Sequence, residues 1–479
     1  MTQKKQLPTR PNSECTTILV GSEMSADGSR FVARSEDWTS LEAKNIEIHR
    51  AGTFPGNTFR AIDSHFGCPL PEQAHGYFAL APHSMPGTWG SAGFNTQGVG
   101  MSATESIFSN AQALQADPME PDRIAENSVF NIVLPFISSA REGVERLGQL
   151  IGEYGVSEGF GVGFVDEDEV WYLETASGHR WLACRLPEDS YFVTGNQSRY
   201  RQYDPKDKEN YLGSEDLMDF AKQHGLWDPT TGDFDFHKAY IRDEKLDTTY
   251  NYPRVWGLQG ILNPHTKQVV TKNDFPVFAQ AEAKIDLPMM RRLFRFHYNG
   301  TEHDPYLHSN PHEPYRPVSI FRTTQTHILN VRPELPMAIG CVNYFCFGMA
   351  ALGVFLPMYQ GIKSVPEAYQ KGGSHSANDS AYWKFRKVQA LGMINYNKYA
   401  PIIQKRYAKL EAEIDQRQRE MERLYLQLCD DQHFAADRVL QEFSDDVLQH
   451  ALEVTDQLIE DLFTQLTIDT EQEYLFHGA

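Results

Sequence analysis

The sequence is poor in the features that define several large classes of protein. Its six cysteines are scattered over 479 residues without a CxxC pair, which excludes a disulfide scaffold and indicates a reducing, cytoplasmic setting. Acidic residues outnumber basic ones, 64 to 44, and the formal net charge of −20 argues against nucleic acid as a partner. Hydrophobic content of 41% is ordinary for a folded protein, and the length allows a large core.

The sequence also lacks the short motifs of several catalytic and binding sites. It contains no GxSxG nucleophile elbow, no P-loop and no HExxH zinc signature. Histidines and carboxylates are dense in one region only: His297, His303, Asp304, His308, His312 and Glu313. Their spacing matches no standard zinc site, and the surrounding Pro, Tyr and Asn residues indicate a loop with solvated histidines. We therefore expect neither a metal nor any other cofactor.

One uncharged segment, residues 337–362, has the length of a membrane-spanning helix. It is interrupted by glycines, Asn343 and Pro357, and its richest part is aromatic and β-branched. These features favour two buried strands around a glycine turn over a single helix. We therefore expect no association with a membrane.

Helical and β signals occur in blocks along the chain. Residues 15–20 and 31–34 flank a polar turn and predict a hairpin, and residues 46–49 predict a further strand. Apolar spacing predicts helices at residues 127–138 and 141–153. Four later runs, separated by turn residues, predict an antiparallel meander: residues 160–165, 170–175, 180–186 and 191–194. Because the helices and strands do not alternate as βαβ units, the predicted fold class is α+β.

The character of the sequence changes near its C-terminal end. From Pro401 onward, apolar residues recur at helical spacing in two long runs, which predicts two amphipathic helices packed as an antiparallel pair. The repeat is not strictly heptad, so we interpret the pair as a cap on the main domain or as a subunit contact. We expect the chain to form a homo-oligomer.

Cys15 is the first residue of the predicted hairpin and the strongest candidate nucleophile. A cysteine at the start of an apolar strand is usually a small buried side chain, and Arg34 and Asp37 alone would form an ordinary ion pair. However, Cys15 follows a short polar leader without an apolar segment, and the return strand of the hairpin ends in Arg-Ser-Glu-Asp. A guanidinium beside the thiol would favour the thiolate, which is the nucleophilic form.

Four segments, in order, resemble the N-terminal-nucleophile (Ntn) cysteine hydrolases. They are residues 15–37, which begin CTTILVG and end ARSED, residues 95–105 (NTQGVGMSATE), residues 193–197 (VTGNQ) and residues 299–322, which contain NGTEHDP and SIFR. Within this superfamily the chain is most similar to the PepD-type dipeptidases of lactic acid bacteria, to which the secernins are related. Bile salt hydrolases and penicillin V acylases are more distant relatives.

The resemblance implies an αββα sandwich of antiparallel sheets in which the first strand presents Cys15. Removal of residues 1–14 would make Cys15 N-terminal, and its own α-amino group, whose ordinary pKa is about 7.7–8.0, would act as the general base. The corresponding division of the chain is a leader at residues 1–14, an Ntn-hydrolase catalytic domain at residues 15–395 and a C-terminal helical extension at residues 396–479.

The resemblance also implies roles for residues around the nucleophile. Arg34 would hold Cys15 in its reactive state, and Asp37 would orient the amine. Asn196 would donate to the oxyanion of the tetrahedral intermediate, where the loss of a donor typically costs roughly 10²–10³ in rate. The alternative for Asn196 is a structural turn, because Gly195-Asn196 is a favoured turn dipeptide.

Two further positions complete the expected site. Arg322 is similar to a second catalytic arginine of the relatives, although the local spacing also allows Arg316 in that position. Glu105 occupies the place of a polar asparagine of the acylases. We hypothesise that Glu105 pairs with the free amino group of a peptide substrate, which would suit a dipeptidase.

The predicted function is that of a cytoplasmic dipeptidase whose partners are short peptides with a free N-terminus, hydrolysed through a thioester acyl-enzyme. One alternative is an acylase that acts on non-peptide amides such as conjugated bile salts or penicillin. Another is a secernin-like protein that keeps the fold and has an interaction role. In that case the substitution Cys15→Ala would remove no hydrolytic activity.

Overall fold

The computed structural model describes residues 15–54, 56–87, 89–307 and 315–475. The expected leader at residues 1–14 lies outside these ranges, and so do His308, His312 and Glu313. The division of the chain into a leader, a main domain and an extension stays a prediction.

Nineteen strands lie in the described residues: β1 (Thr16–Val20), β2 (Arg30–Asp37), β3 (Lys44–His49), β4 (Gly52–Thr53), β5 (Thr58–Arg60), β6 (Gly67–Pro69), β7 (Gln73–Ala74), β8 (Tyr77–Pro82), β9 (Ala92–Phe94), β10 (Gly100–Ser106), β11 (Phe160–Val165), β12 (Val170–Thr175), β13 (Trp181–Arg185), β14 (Tyr191–Thr194), β15 (Tyr211–Gly213), β16 (Phe278–Ala279), β17 (Thr323–Val331), β18 (Cys341–Phe347) and β19 (Leu356–Tyr359).

Twelve α-helices lie in the same ranges: α1 (Ala111–Ala116), α2 (Glu126–Val133), α3 (Ala140–Tyr154), α4 (Leu217–Gln223), α5 (Phe236–Tyr240), α6 (Asp247–Tyr250), α7 (Tyr252–Leu262), α8 (Leu287–Phe294), α9 (Met337–Gly340), α10 (Ala381–Ile394), α11 (Tyr396–Leu428) and α12 (His433–Glu473). Short 3₁₀ turns at Leu134–Phe136, Ala350–Leu352 and Glu367–Gln370 join some of these elements.

The larger sheet has seven antiparallel strands in the order β16-β14-β1-β2-β17-β18-β19. Every residue of its central strands β1, β2 and β17 is buried, as expected for strands that are covered on both faces. A charged residue on such a strand, for example Arg34 on β2, must find its hydrogen-bond partners inside the protein.

The second sheet has six antiparallel strands in the order β15-β13-β12-β11-β10-β9, and it packs face to face on the first. Gly163 on β11 allows the two sheets to approach closely, because a Cβ atom at this position would lie 2.7 Å from Cγ1 of Val32 on β2. The inner faces of the sheets therefore meet next to the N-terminal hairpin.

Helices cover the outer faces of both sheets. Helix α3 packs on β11, β12 and β13, whereas α10 and α12 pack on β18 and β19. Apolar residues of α11 and α12 belong to the same hydrophobic core as those of β1 and β2. The layers are therefore helix, sheet, sheet and helix, which confirms the predicted α+β sandwich of antiparallel sheets.

The prediction of a four-stranded meander is correct for three strands only. β11, β12 and β13 pair in sequence, but β14 pairs with β1 in the other sheet. The turn at residues 187–190 carries the chain between the layers, and the bonds from Gly21 N to Ser190 O and from Met24 N to Glu188 O hold it against the hairpin. This crossing brings the C-terminal end of β14 next to Cys15.

Two other predictions for the C-terminal half are confirmed. The uncharged segment at residues 337–362 forms α9, β18 and β19 instead of one helix, and among the described helices none is long and apolar enough to cross a membrane. Helices α11 and α12 are the expected antiparallel pair, since their ion pairs run in opposite directions along the two helices: Lys398–Asp469, Arg406–Asp461 and Arg417–Asp446. Both helices pack against α10, which covers the outer face of the larger sheet.

Candidate active site

The position of Cys15 follows from the topology of the larger sheet. It immediately precedes β1, which lies between β2 and β14 and is antiparallel to both. The N-terminal end of β1 therefore meets the C-terminal ends of its two neighbours. Those ends carry Asp37 on β2 and the turn that contains Asn196 after β14.

Arg34 contacts the thiol directly. Its Nη1 lies 3.1 Å from Cys15 Sγ, and the side chain is only 2% exposed. The guanidinium also donates to the carbonyl oxygens of Ala103 and Thr104, at 2.6 and 2.7 Å. β10 is irregular at this point, so two successive carbonyls face the same cation. Arg34 is thereby fixed between the two sheets.

Arg34 alone would favour the thiolate form of Cys15, but the surroundings of the thiol favour its protonated form. Burial raises the pKa of Cys15 to about 12 and outweighs the lowering by Arg34, and the carboxylates of Glu105 and Asp37 raise it further. The backbone N–H of Asp37 donates to the sulfur and opposes this rise. In this form the thiol is protonated at neutral pH, and Sγ donates to Thr104 O at 3.6 Å.

Asp37 is held by two side chains from the region after residue 315. Arg316 forms an ion pair with Oδ2, and Thr323 Oγ1 donates to Oδ1 at 2.5 Å. Burial raises the pKa of Asp37, while Arg316 and the hydrogen bonds act in the opposite direction. The carboxyl group is thus fixed at the end of β2, beside Cys15.

Glu105 and Asn196 form a hydrogen-bonded pair near Cys15. Asn196 Nδ2 donates to Glu105 Oε1 at 3.0 Å, and Thr17 Oγ1 donates to Oε2 at 2.6 Å. Glu105 is fully buried, and burial raises its pKa to about 8 against the lowering by Arg254 and Thr17. The structure thus brings Cys15 and both predicted residues into one cluster.

Arg254 is a residue of this cluster that the sequence reasoning missed. It is 0% exposed and reaches the Cys15 carbonyl oxygen and Thr16 Oγ1 with Nη1, and Asn196 Oδ1 (2.8 Å) with Nη2. Gly195 makes room for it, because a Cβ atom there would lie 2.7 Å from Nη2. An arginine in the otherwise uncharged helix α7 was the available signal, since a buried charge requires partners.

The two arginines that were considered as the second site arginine both reach Asp37. Arg316 contacts its carboxylate, whereas Arg322 Nη1 donates to the backbone oxygens of Asp37 and Trp38 at 3.4 and 3.3 Å. The ring of Tyr250 lies 5.4 Å from the Arg316 guanidinium carbon, and its hydroxyl accepts from Arg322. The catalytic role assigned to Arg322 stays a prediction.

A small cavity of about 10 Å³, which has room for about one water-sized group, opens next to this cluster. Its lining residues come from β2, β10, the start of α2 and the loop before β9: Arg34, Glu36, Asp37, Trp38, Trp89, Ala103, Thr104 and Glu126. Thr104 links the cavity to Cys15, because its carbonyl oxygen contacts Cys15 Sγ and its hydroxyl donates to Glu126 Oε2 at 2.7 Å. The sequence reasoning identified neither of the two tryptophans nor Glu126.

The histidine-rich region differs from the expectation at one residue. Within the described ranges, no group of three or more His, Cys, Asp or Glu side chains is arranged to hold a metal ion. The interpretation of solvated histidines is wrong for His297, which is 3% exposed. Its Nδ1 bonds Asp304 Oδ1 at 3.0 Å, and its Nε2 contacts Tyr396 OH at 2.9 Å. These contacts fix the loop against α11.

Several known proteins are similar to this chain. A probable dipeptidase of Salmonella dublin is 50% identical over 361 residues, which are 75% of this chain and 83% of that protein. A probable dipeptidase of Latilactobacillus sakei is 33% identical over 391 residues, 81% and 82% of the two chains. Dipeptidase A of Lactobacillus helveticus is 30% identical over 467 residues, 94% and 97% of the two chains.

Among solved structures, a mutant conjugated bile acid hydrolase from Clostridium perfringens aligns with 76% of this chain and 98% of its own, at 11% identity and a TM-score of 0.31. Peptidase family C69 matches residues 14–409. This match spans well over half of the sequence and contains every residue of the cluster around Cys15. The chain therefore belongs to peptidase family C69 and is a peptide-bond hydrolase.

Proposed function

We propose that the chain is a dipeptidase in which Cys15, made N-terminal by cleavage of the Glu14–Cys15 bond, is the nucleophile. The contact of 3.1 Å between Arg34 Nη1 and Cys15 Sγ carries the proposal, because a buried guanidinium stabilises the thiolate that attacks a carbonyl. The names of the similar proteins support dipeptides as the substrate class.

The first step moves the thiol proton to the α-amino group of Cys15. A thiol whose pKa is raised to about 12 needs a base close by, and an α-amine with an ordinary pKa of about 7.7–8.0 is suited to that role. Asp37, at the end of the neighbouring strand, is proposed to orient this amine. Arg34 then holds the thiolate through Nη1.

The thiolate attacks the peptide carbonyl and forms a tetrahedral intermediate. Asn196 is proposed to donate Nδ2–H to the oxyanion, with its amide oriented by Glu105 at Nδ2 and by Arg254 at Oδ1. The C–N bond breaks, the leaving amine takes the proton from the ammonium of Cys15, and a thioester remains. Water, deprotonated by the same amine, hydrolyses the thioester and releases the second product.

The remaining predicted residues keep proposed roles. Arg322, together with Arg316, is proposed to fix Asp37 and thereby the amine. Glu105 is the first candidate for substrate binding, with a carboxylate that would pair with the free amino group of the peptide. Glu105→Gln tests that hypothesis, because an unchanged KM for a dipeptide would contradict it.

Two further proposals concern the setting of the enzyme. The six cysteines are all free thiols, which supports a reducing, cytoplasmic compartment. Exposed apolar side chains on α12, among them Phe434 and Phe463, support an assembly of several copies through the C-terminal helices.

The decisive test combines intact mass with activity. We expect active protein to have the mass of residues 15–479, to hydrolyse a panel of dipeptides and to leave a parallel panel of N-acyl amides intact. Cys15→Ala is expected to remove the activity without changing the fold, measured by circular dichroism. Full activity in a species that still begins at Met1 contradicts the N-terminal-nucleophile mechanism, and hydrolysis of the acyl amides alone contradicts the dipeptidase assignment.

A further inference from the structure

One of the charged residues that line the cavity beside Cys15 has no ion-pair partner among the described residues. Of its charged lining residues, Glu36 is paired with Lys44, Asp37 is paired with Arg316, and Arg34 contacts the thiol. Glu126 differs from them. No lysine, arginine or histidine of the described residues forms an ion pair with it, and its Oε2 accepts only from the neutral hydroxyl of Thr104.

The surroundings of Glu126 disfavour its negative charge. Burial and the nearby carboxylate of Glu158 raise the pKa of Glu126 to about 8, and the backbone N–H of Glu126 is itself engaged by Glu158 Oε1 at 2.9 Å. A cation that enters the cavity would reverse this effect, since an opposite charge favours the ionised form. Glu126 would therefore become ionised when a cation binds beside it.

The walls of the cavity also suit a cation. Trp38 and Trp89 are half-buried and line the space together with Glu126. An indole face attracts a cation by its quadrupole, and Lys44 Nζ already lies 5.6 Å from the ring centre of Trp89. An ammonium group, which is about the size of one water molecule, would therefore be accepted in this space beside the two rings.

The link between Glu126 and Cys15 through Thr104 suits one particular ammonium group. A single residue, Thr104, contacts Cys15 Sγ with its carbonyl oxygen and Glu126 with its hydroxyl. In a peptide, the α-ammonium of the first residue is two bonds from the carbonyl carbon that is attacked, and a nucleophile attacks from about 3–3.5 Å. The ammonium of an N-terminal residue must therefore bind close to the thiol, and Glu126 is separated from the thiol by one residue, Thr104.

We infer that Glu126, between Trp38 and Trp89, binds the α-ammonium group of the substrate and so selects peptides cleaved after their first residue. This inference rests on the proposed dipeptidase function and deepens it. Glu105 is less suited to the same task, because both of its oxygens already accept hydrogen bonds from Thr17 and Asn196. Glu126 is thus a specificity residue, and Glu105 holds the oxyanion donor.

The inference is tested with Glu126→Gln in the processed enzyme. The variant keeps the shape and an oxygen for Thr104 but loses the charge. We expect KM for alanyl-alanine to rise about 10- to 100-fold with kcat within about threefold, because a charged hydrogen bond present in both ground and transition states is lost. The preference for alanyl-alanine over its N-acetyl analogue is expected to shrink by the same factor, whereas Glu126→Asp retains most of it.

Two matched variants separate the outcomes. Glu120→Gln removes an exposed carboxylate of the preceding loop and is expected to change neither KM nor the preference for a free amine. An unchanged KM and an unchanged preference in Glu126→Gln overturn the inference, and a changed preference in Glu105→Gln would then assign the ammonium to Glu105. If the processed wild-type enzyme hydrolyses no dipeptide, the proposed function fails first and the inference fails with it.

Discussion

Arg254 provides the sharpest test of how the site is held together. Its guanidinium donates to five acceptors: Cys15 O, Thr16 Oγ1, Asn196 Oδ1, Asn251 Oδ1 and Tyr250 O. In Arg254→Lys, one ammonium nitrogen with three donors replaces the planar fork. At least two of the five acceptors therefore lose their donor, and the fork that holds Cys15 O with one nitrogen and Asn196 Oδ1 with the other is broken up.

The expected size of the effect follows from these contacts. Two lost hydrogen bonds to a charged group, at about 1.5–3 kcal/mol each, lower the free energy of unfolding by about 3–6 kcal/mol. If the Asn196 amide is no longer fixed, its proposed contribution to the oxyanion is lost, and we expect kcat to fall by about 10²-fold. KM is expected to change by less than about threefold, because Arg254 acts through Asn196 and Cys15 and not on the substrate.

Arg291→Lys is the matched control. Arg291 is also buried and forms a bidentate ion pair with Asp415 on α11. Asp415 is not part of the cluster around Cys15. Arg291→Lys should lose stability in a denaturant titration and keep its kcat when assayed while folded. If folded Arg254→Lys keeps a kcat within threefold of the wild type, the reasoning that Arg254 orients Asn196 is refuted.

Two further predictions concern stability. Burial raises the pKa of Glu174 to about 8. Between about pH 4.5 and 8 the folded protein therefore holds a proton on Glu174 that the unfolded chain releases. Because of this proton, the free energy of unfolding falls by about 1.4 kcal/mol for each unit that the pH rises. Glu174→Gln should remove that part of the slope in denaturant titrations from pH 5 to 8; an unchanged slope contradicts it. Gly163→Ala should lower the free energy of unfolding by about 1–3 kcal/mol, because the added methyl group overpacks against Val32. Gly152→Ala, where the methyl group meets nothing within 4 Å, should slightly raise the melting temperature. Equal shifts of the melting temperature in the two variants would contradict the close approach of the sheets.

Local sequence patterns predicted a strand well where turn residues flank a continuous apolar run. Phe160–Val165, Val170–Thr175 and Tyr191–Thr194 have the predicted limits, because alternation and turn chemistry are encoded within a few residues. The partner of a strand is not encoded locally. The pairing of β14 with β1 depends on contacts between residues more than 170 positions apart in the chain, and nothing in the run at Tyr191–Thr194 distinguishes it from the meander before it.

The same limit applies to the site. Arg34 and Asp37 were accessible to reasoning because they lie on the strand that forms a hairpin with β1, where register alone brings residues together. Arg254 and Glu126 approach Cys15 only through the packing of α7 and α2 against the sheets. Their sequence context is an ordinary helix start in each case, and only the finished fold reveals what their charges contact.

The surroundings of the sulfur explain why cleavage before Cys15 would matter chemically. The N–H groups of Arg34 and Asp37 donate to Sγ, so a thiolate would be stabilised there as soon as it formed. Thr104 O can hold the thiol hydrogen but is not basic enough to remove it. His327, on the strand paired with Arg34, is a poor base, since burial and Arg34 hold its pKa well below the usual value. The nitrogen of an intact Glu14–Cys15 peptide bond is not basic either. Cleavage of that bond, as proposed, would therefore supply the missing proton acceptor to a site whose thiolate-stabilising groups are already in position.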